Sequence, residues 1–211
     1  MNAVVTLPVI TADAPAVQRS PEWFAKRLGK FTGSQFASLM AGESTETYQG
    51  YLREKAWERL TGKAVQMFTN DAMQHGIDTE PQARSYYEFV TDSLVEEVDF
   101  IIHRELDFIG VSPDGLIGAD GMLEIKCPQP RTHVEYLAAK KMPAKYRWQV
   151  QGQLWVAGRD WCDFVSFHPD CEHQLIVRVE KNEKDHAALA ERAMAANEAV
   201  NAIIEKIKEQ A

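Results

Sequence analysis

The 211-residue chain has few cysteines, no long apolar run and no internal repeat. Its three cysteines are an odd number without regular spacing, which argues against a disulfide framework and predicts a reducing, cytoplasmic location. Every apolar run falls short of the about 18 residues that span a bilayer, so we expect no membrane partner. The first ten residues also lack the basic start and cleavage pattern of a signal peptide.

The length and the 45% hydrophobic fraction fit one well-packed domain, and two domains would be cramped. Residues 1–17 mix Pro, Ala, Thr and Val without periodicity, which predicts a flexible N-terminal arm. We therefore expect a single domain over residues 18–211.

The net charge of −8 is unevenly distributed along the chain. Residues 70–123 hold 12 acidic and 2 basic side chains, whereas residues 18–63 hold 8 basic and 5 acidic ones, and residues 124–160 hold 7 basic and 3 acidic ones. An acidic block suited to metal ions thus lies between two basic blocks suited to phosphates. Simple alternation of charged loops on a protein surface explains the same pattern equally well.

Hydrophobic periodicity and turn residues predict a mixed α/β fold, with a central mixed β-sheet flanked by helices. The predicted helices cover residues 21–28, 46–60, 70–89, 132–140, 144–158 and 183–209. A further helix is predicted to begin at residue 32. The predicted strands cover residues 94–103, 107–112, 122–127, 161–168 and 173–180.

The segment around residues 112–127 carries the strongest chemical pattern. Asp114 follows an apolar run and lies in a predicted turn, and Glu124 and Lys126 follow in a predicted strand. Side chains at i and i+2 share one face of a strand, so Glu124 and Lys126 point the same way while Ile125 points into a core. Two carboxylates and an ammonium could then hold a divalent metal and activate a water. The alternative is a surface hairpin with an incidental ion pair.

These residues resemble a known nuclease signature. Pro113-Asp114 followed by Glu124-Ile125-Lys126 resembles the PD-(D/E)xK motif, and the flanking Ser-Pro-Asp-Gly-Leu and Leu-Glu-Ile-Lys-Cys-Pro resemble the YqaJ-type viral recombinases of the lambda exonuclease family. The resemblance implies a restriction-endonuclease-like fold.

Three more segments match this family in order. Glu80 resembles an acid on the family's upstream helix, and Arg27 with Ser34 resembles the segment that binds the terminal 5′-phosphate. Downstream, Gln151 and Trp155 resemble a glutamine–aromatic helix motif, and at i and i+4 they stack on one helix face. An arginine and a hydroxyl at a helix N-terminus make a reasonable anion pocket.

The resemblance implies a role for each of these positions. Asp114, Glu124, the Ile125 carbonyl and Glu80 would hold two Mg²⁺ ions, for which Mn²⁺ can substitute. Lys126 would orient the attacking water, and Gln151 would complete the site. The residues expected to contact DNA are Arg27, Ser34 and Ser112 at the 5′-phosphate, and Lys140, Lys141, Lys145 and Arg147 along the backbone.

The activity implied is Mg²⁺-dependent 5′→3′ degradation of one strand of linear double-stranded DNA to mononucleotides, leaving a 3′ single-stranded tail for recombination by strand annealing. The expected partners are DNA with 5′-phosphorylated ends, two further copies in a homotrimer, and a single-strand annealing protein in the cytoplasm of a phage-bearing bacterium. An endonuclease of the restriction or repair type and an inactive DNA-end-binding module remain alternatives. No role is assigned to His75 or to the Cys162, His168, Cys171 and His173 group, whose spacing matches no familiar zinc site.

Overall fold

The computed structural model describes residue 18, residues 20–65 and residues 71–210. The predicted N-terminal arm at residues 1–17 lies outside this range, so its boundary stays a prediction. The helices are α1 Pro21–Arg27, α2 Phe36–Leu39, α3 Glu46–Thr61, α4 Asp71–Thr91, α5 Pro130–Ala139, α6 Arg147–Ala157 and α7 Glu183–Lys208. The strands are β1 Phe31–Thr32, β2 Ile101–Ile102, β3 Ile109–Val111, β4 Gly115–Ile117, β5 Gly121–Lys126, β6 Trp161–Ser166 and β7 Leu175–Glu180, and short 3-10 helices at Gly33–Gln35 and Ala144–Tyr146 precede α2 and α6.

The strands form two mixed sheets that meet at the turn between β3 and β4. The first has the order β1-β3-β2, with β1 parallel and β2 antiparallel to β3. The second has the order β4-β5-β6-β7, in which β5 and β6 run parallel and the outer pairs run antiparallel. The mixed α/β class predicted from the sequence is confirmed.

Strand β5 divides its side chains between two helices. Leu123 and Ile125 pack in a cluster with Ala83 and Tyr87 of α4, whereas Met122 packs in a second cluster with α6 residues. Because strand side chains alternate between faces, Glu124 and Lys126 lie on the same face as Met122, under α6. The alternation therefore places the two charged groups opposite the helix that carries the glutamines.

Helix α6 approaches its neighbours closely enough to require a small residue. A side chain at Gly152 would meet the Phe36 ring at 2.0 Å, so only glycine allows α2 to lie this close to α6. The third and largest cluster joins α2, α3 and α7 to β1 and β3. These contacts fix α6 over the junction of the two sheets.

Helix α4, predicted at residues 70–89, runs without interruption through Gly76 and Pro81. Helix α1 begins as predicted, because the Ser20 side chain accepts a hydrogen bond from Trp23 N and Pro21 occupies the first turn. Across the described residues, no helix is long and apolar enough to cross a membrane.

The strand predicted at residues 94–103 is largely wrong. Only Ile101–Ile102 form a strand, and Glu96 makes one isolated bridge to Leu116. The partner strand β4 was missed, because Gly115 and Gly118 flank an apolar run of only two residues and were interpreted as a turn. The short strand β1 was missed because residue 32 was interpreted as the start of a helix.

Candidate active site

Asp114 lies in the turn that connects the two sheets. Its backbone N donates to the Leu123 carbonyl at 3.1 Å, and its Oδ2 accepts a hydrogen bond from Ile125 N at 2.6 Å. Both contacts anchor the carboxylate beside the middle of β5. Burial, followed by the nearby charges of Glu124 and Glu80, raises the pKa of Asp114 well above its usual value.

Glu124 is 1% exposed and is surrounded by hydrogen-bond donors. Its Oε1 forms an ion pair with Lys126 Nζ and accepts from Gln149 Nε2 at 2.5 Å, and its Oε2 accepts from Gln153 Nε2 at 2.8 Å. Burial alone would lower the pKa of Lys126, but the Glu124 and Asp114 carboxylates together raise it. Lys126 therefore stays protonated beside two carboxylates.

The expected position of Gln151 in the site is wrong. Its Nε2 donates to the Glu180 carbonyl at 2.9 Å, and its Oε1 accepts from Asn182 N at 2.8 Å, so the side chain connects α6 to the start of α7. Gln149 and Gln153, which also stand at i and i+4, contact Glu124 instead. Sequence reasoning missed both of these residues.

The three glutamines of α6 lie on two different sides of its apolar stripe. Val150 and Leu154 pack onto the sheet, and Gln149 and Gln153 lie on one side of that stripe while Gln151 lies on the other. Helical spacing alone pairs Gln149 with Gln153 as readily as it pairs Gln151 with Trp155. Only the packing of α6 decides which side lies over Glu124.

Glu80 reaches the site through Arg84. Arg84 Nη2 contacts Glu80 Oε1 at 2.8 Å, and Arg84 Nε donates to the Asp114 carbonyl at 3.3 Å. Within residues 20–65 and 71–210, no three His, Cys, Asp or Glu side chains are arranged as a complete metal site. A metal held by Asp114 and Glu124 would thus need backbone oxygen, water or phosphate as further ligands, as Mg²⁺ commonly does. The role of Glu80 as a ligand stays a prediction.

Two of the predicted phosphate-binding residues, Arg27 and Ser112, contact Trp23 of α1. The Arg27 guanidinium carbon lies 4.0 Å from the centre of the Trp23 ring, and Trp23 Nε1 donates to Ser112 Oγ at 3.0 Å. In the part of the chain that the structure describes, Arg27 makes no ion pair, and burial lowers the pKa of its guanidinium to about 10. Ser34 is exposed and follows Gly33, which packs against Val111 and Gln153. Arg27 and the Ser112 hydroxyl therefore contact the same indole ring, and the position of Ser34 in a phosphate pocket stays a prediction.

The basic residues at 140–147 differ in their availability. Lys140 and Lys141 are exposed at the end of α5. Lys145 Nζ lies 5.0 Å from the centre of the Tyr146 ring, and Lys126 Nζ lies 5.3 Å from that same ring. By contrast, Arg147 forms a two-pronged ion pair with Asp185, at 2.8 and 2.6 Å. Arg147 therefore links α6 to α7. Among these four basic residues, the three lysines remain available to bind a ligand.

The histidines and cysteines without an assigned role lie at the ends of β6 and α4. The His75 and His168 ring centres are 5.9 Å apart, and His133 contacts Ser166 Oγ at 2.8 Å and the His173 carbonyl at 3.0 Å. Cys162 is buried within β6, and burial raises the pKa of its thiol well above the usual value.

The fold is of the PD-(D/E)xK nuclease type. Residues 22–160 match the model of the YqaJ-like viral recombinase domain. The chain belongs to this family.

Solved structures agree with that assignment. An alkaline exonuclease from Laribacter hongkongensis is 37% identical, with a TM-score of 0.85 over 90% of this chain and 97% of its own; a second structure of that protein is a complex with dAMP. A phage-related exonuclease from Haemophilus somnus 129PT is 18% identical, with a TM-score of 0.69 over 84% of this chain and 96% of its own, and shares the fold.

A curated relative is much longer than this chain. The uncharacterized protein R354 of Acanthamoeba polyphaga mimivirus is 27% identical over 162 residues, which cover 71% of this chain and 29% of that protein. Family membership and the alkaline exonuclease structures together support a nuclease role.

Proposed function

We propose that this protein is a Mg²⁺-dependent 5′→3′ exodeoxyribonuclease that degrades one strand of linear double-stranded DNA to mononucleotides. The observation that carries the proposal is the joint position of Asp114 beside Glu124 and of the unpaired Arg27 beside Ser112. The first pair suits phosphodiester hydrolysis, and the second suits a terminal phosphate. The dAMP complex of the 37%-identical Laribacter protein supports a deoxymononucleotide as the product.

The donor set fits a hard divalent cation. Asp114 and Glu124 carry like charges close together in a partly buried site, an arrangement that is costly unless a cation neutralises it. The Ile125 carbonyl and Glu80 are the further candidate ligands for one or two ions. Bound Mg²⁺ would supply a water of lowered pKa and would neutralise charge on the phosphate.

The chain's own groups have distinct tasks around that centre. Lys126 stays protonated, so its ammonium holds the Glu124 carboxylate and donates a hydrogen bond to a water or a phosphate oxygen. Gln149 donates to the same Glu124 oxygen and limits its rotation. Arg84 fixes the Asp114 turn from the side of α4.

End recognition would come from the residues beside α1. The planar guanidinium of Arg27 can donate two parallel hydrogen bonds to a phosphate, and the Ser112 and Ser34 hydroxyls can donate further ones. A terminal 5′-phosphate carries more charge than an internal phosphodiester, so this pocket favours a strand end. Lys140, Lys141 and Lys145 would contact the DNA backbone.

We also propose that the protein works as a homotrimer and hands the 3′ single-stranded tail to a single-strand annealing protein, as in phage-type recombination. The support for both is the family resemblance. Analytical ultracentrifugation of the purified protein tests the first: a single species of three chains is expected, and a monomer at micromolar concentration contradicts it.

One set of digests tests the proposed activity. The protein is incubated with Mg²⁺ or with EDTA, and with either linear 5′-phosphorylated duplex or covalently closed circles, and Asp114→Ala serves as the inactive control. We expect mononucleotides from the linear duplex in Mg²⁺ alone, and none from the variant. Strand polarity follows from duplexes labelled at the 5′ or the 3′ end.

The other outcomes of these digests favour the alternative functions. Cleavage of closed circles points to an endonuclease, and the binding of ends without release of nucleotides points to an inactive end-binding module. Release of nucleotides by Asp114→Ala contradicts the proposed site.

A further inference from the structure

Gln153 is buried, yet it contacts the candidate metal site directly. It is 1% exposed, its Nε2 donates to Glu124 Oε2 at 2.8 Å, and the Ser112 carbonyl lies 3.4 Å from the same nitrogen. Ser112 in turn accepts from Trp23, which lies under Arg27. Gln153 thus stands between the carboxylates and the proposed 5′-phosphate pocket.

The protein's own donors use most, but not all, of the acceptor capacity of Glu124. A carboxylate has about four acceptor positions, two on each oxygen. Lys126 and Gln149 occupy both positions on Oε1, and Gln153 occupies one of the two on Oε2. Among contacts within the described residues, the position that remains is the second one on Oε2, the oxygen that Gln153 anchors.

The amide of Gln153 is only half satisfied by the fold. Gln153 Oε1 is buried and, within the described ranges of the chain, has no hydrogen-bond partner. A buried acceptor without a partner lowers stability, and a methionine of similar volume would avoid that cost. Reversing the amide does not help, because it would set Oε1 against the Glu124 carboxylate.

We propose that Gln153 is a positioning residue that holds Glu124 so that its Oε2 faces the metal together with Asp114. The protein holds one oxygen of Asp114, through Ile125 N, and both oxygens of Glu124, yet each carboxylate keeps acceptor capacity for a cation. This role rests on the proposed metal-dependent activity. It also predicts that metal affinity depends on the orientation of Glu124, so that a substitution in α6 that does not touch Glu124 leaves the affinity unchanged.

The test measures Mn²⁺ binding to the full-length protein without DNA, by electron paramagnetic resonance of the free ion. Wild type, Gln153→Met, Gln151→Met and Asp114→Asn are compared. Gln151 is a matched control, because it is a buried glutamine of the same helix whose amide contacts Glu180 and Asn182 instead. We expect Gln153→Met to weaken Mn²⁺ binding about tenfold, as is usual when a residue that orients a metal ligand is lost, and Gln151→Met to bind as wild type does.

Unfolding midpoints separate this role from a structural one. Gln153→Met should unfold at a temperature no lower than that of the control Gln151→Met in EDTA, because both lose amide hydrogen bonds, and yet only Gln153→Met should bind Mn²⁺ more weakly. If that variant does not fold, Gln153→Asn keeps the amide but is one methylene too short to reach Oε2, and it should show the same loss.

Two results would overturn the role of Gln153: wild-type Mn²⁺ affinity in the folded Gln153 variants, or an equal loss in Gln151→Met. The proposed function fails differently. If wild type binds no Mn²⁺, or if Asp114→Asn binds it as tightly as wild type, the metal site itself is wrong, and the role of Gln153 falls with it.

Discussion

The indole Nε1 of Trp23 donates a hydrogen bond to the Ser112 hydroxyl at 3.0 Å, so α1 is tied to the turn that carries Asp114. The Arg27 guanidinium packs on the same indole, with its carbon 4.0 Å from the centre of the Trp23 ring. A phosphate held by Arg27 would therefore be in a fixed relation to the carboxylates. This relation could make hydrolysis start at a strand end.

Replacing Arg27 by glutamine should abolish the preference for a 5′-phosphate. Because hydrogen bonds to charged groups contribute about 1.5–3 kcal/mol, the ratio of rates on 5′-phosphorylated and 5′-hydroxyl duplexes should fall by about tenfold or more. The measurement is the initial rate on the two duplexes. Lys26→Gln is the matched control, because Lys26 is the adjacent cation but pairs with Asp99. An equal change in both variants would point to a general charge effect.

The three available lysines should determine the salt dependence of DNA binding. The slope of log K against log salt changes by about 0.9 for each phosphate contact. Replacing Lys140, Lys141 and Lys145 by glutamine should therefore reduce the slope by about 3. Binding to linear duplex in Ca²⁺ is measured from 50 to 300 mM NaCl by fluorescence anisotropy, on the assumption that Ca²⁺ occupies the site without cleavage.

The control for this slope removes the same charge elsewhere. The triple glutamine variant of Lys184, Lys206 and Lys208, which are exposed on α7, should keep the wild-type slope. A similar decrease in both variants would mean that net charge, and not a local surface, attracts the DNA.

The sequence predicted which side chains of strand β5 face the site, but not which side chains of helix α6 do. The period of two in β5 gives only two choices, and burial of Ile125 decides between them, so the common face of Glu124 and Lys126 is confirmed. Helix α6 offers more choices. The sequence could not assign Gln149 or Gln153 because that assignment depends on how α6 packs.

The long strands were all predicted, and so was the short β3, which lies within the strand expected at residues 107–112. Strands β5, β6 and β7 have six residues each, and all three were predicted. The strand expected over residues 94–103 failed because its apolar residues pack singly: Val95 covers Gly115, and Phe100 covers Gly110. Tertiary contacts of this kind outweigh local β-propensity.

Replacing Asp114 by asparagine should stabilise the metal-free protein at high pH. The pKa of Asp114 is raised in the fold, so the folded state binds the proton more tightly than the unfolded state, whose pKa is about 3.9. The stabilisation that results is fully present below the pKa that Asp114 has in the unfolded state. It is lost as the pH rises through the pKa that Asp114 has in the folded state. An asparagine does not ionise, so it should raise the free energy of unfolding at pH 8 and leave it unchanged near pH 4.

Thermal unfolding in EDTA at several pH values measures this effect. Addition of Mg²⁺ should then reverse the order, because a ligand that binds only the folded state stabilises wild type but not the variant. Asp120→Asn, in the exposed turn before β5, is the control and should behave as wild type does. A variant that is less stable at every pH would show that the Asp114 charge is stabilising.

Asp163 should matter for stability alone. Its buried carboxylate accepts from Tyr87 Oη at 2.7 Å and from two Arg178 nitrogens at 2.9 Å, which ties α4 and β7 to β6. Removal of one partner from a buried pair costs about 3–5 kcal/mol, and the half-exposed Arg178 can be hydrated, so we expect Asp163→Ala to cost about 3 kcal/mol in urea unfolding. Asp160→Ala breaks the exposed Asp160–Lys181 pair near the same strands and should cost under about 1 kcal/mol. Equal costs would contradict the distinction, because the Asp163 carboxylate is buried and the Asp160 carboxylate is exposed.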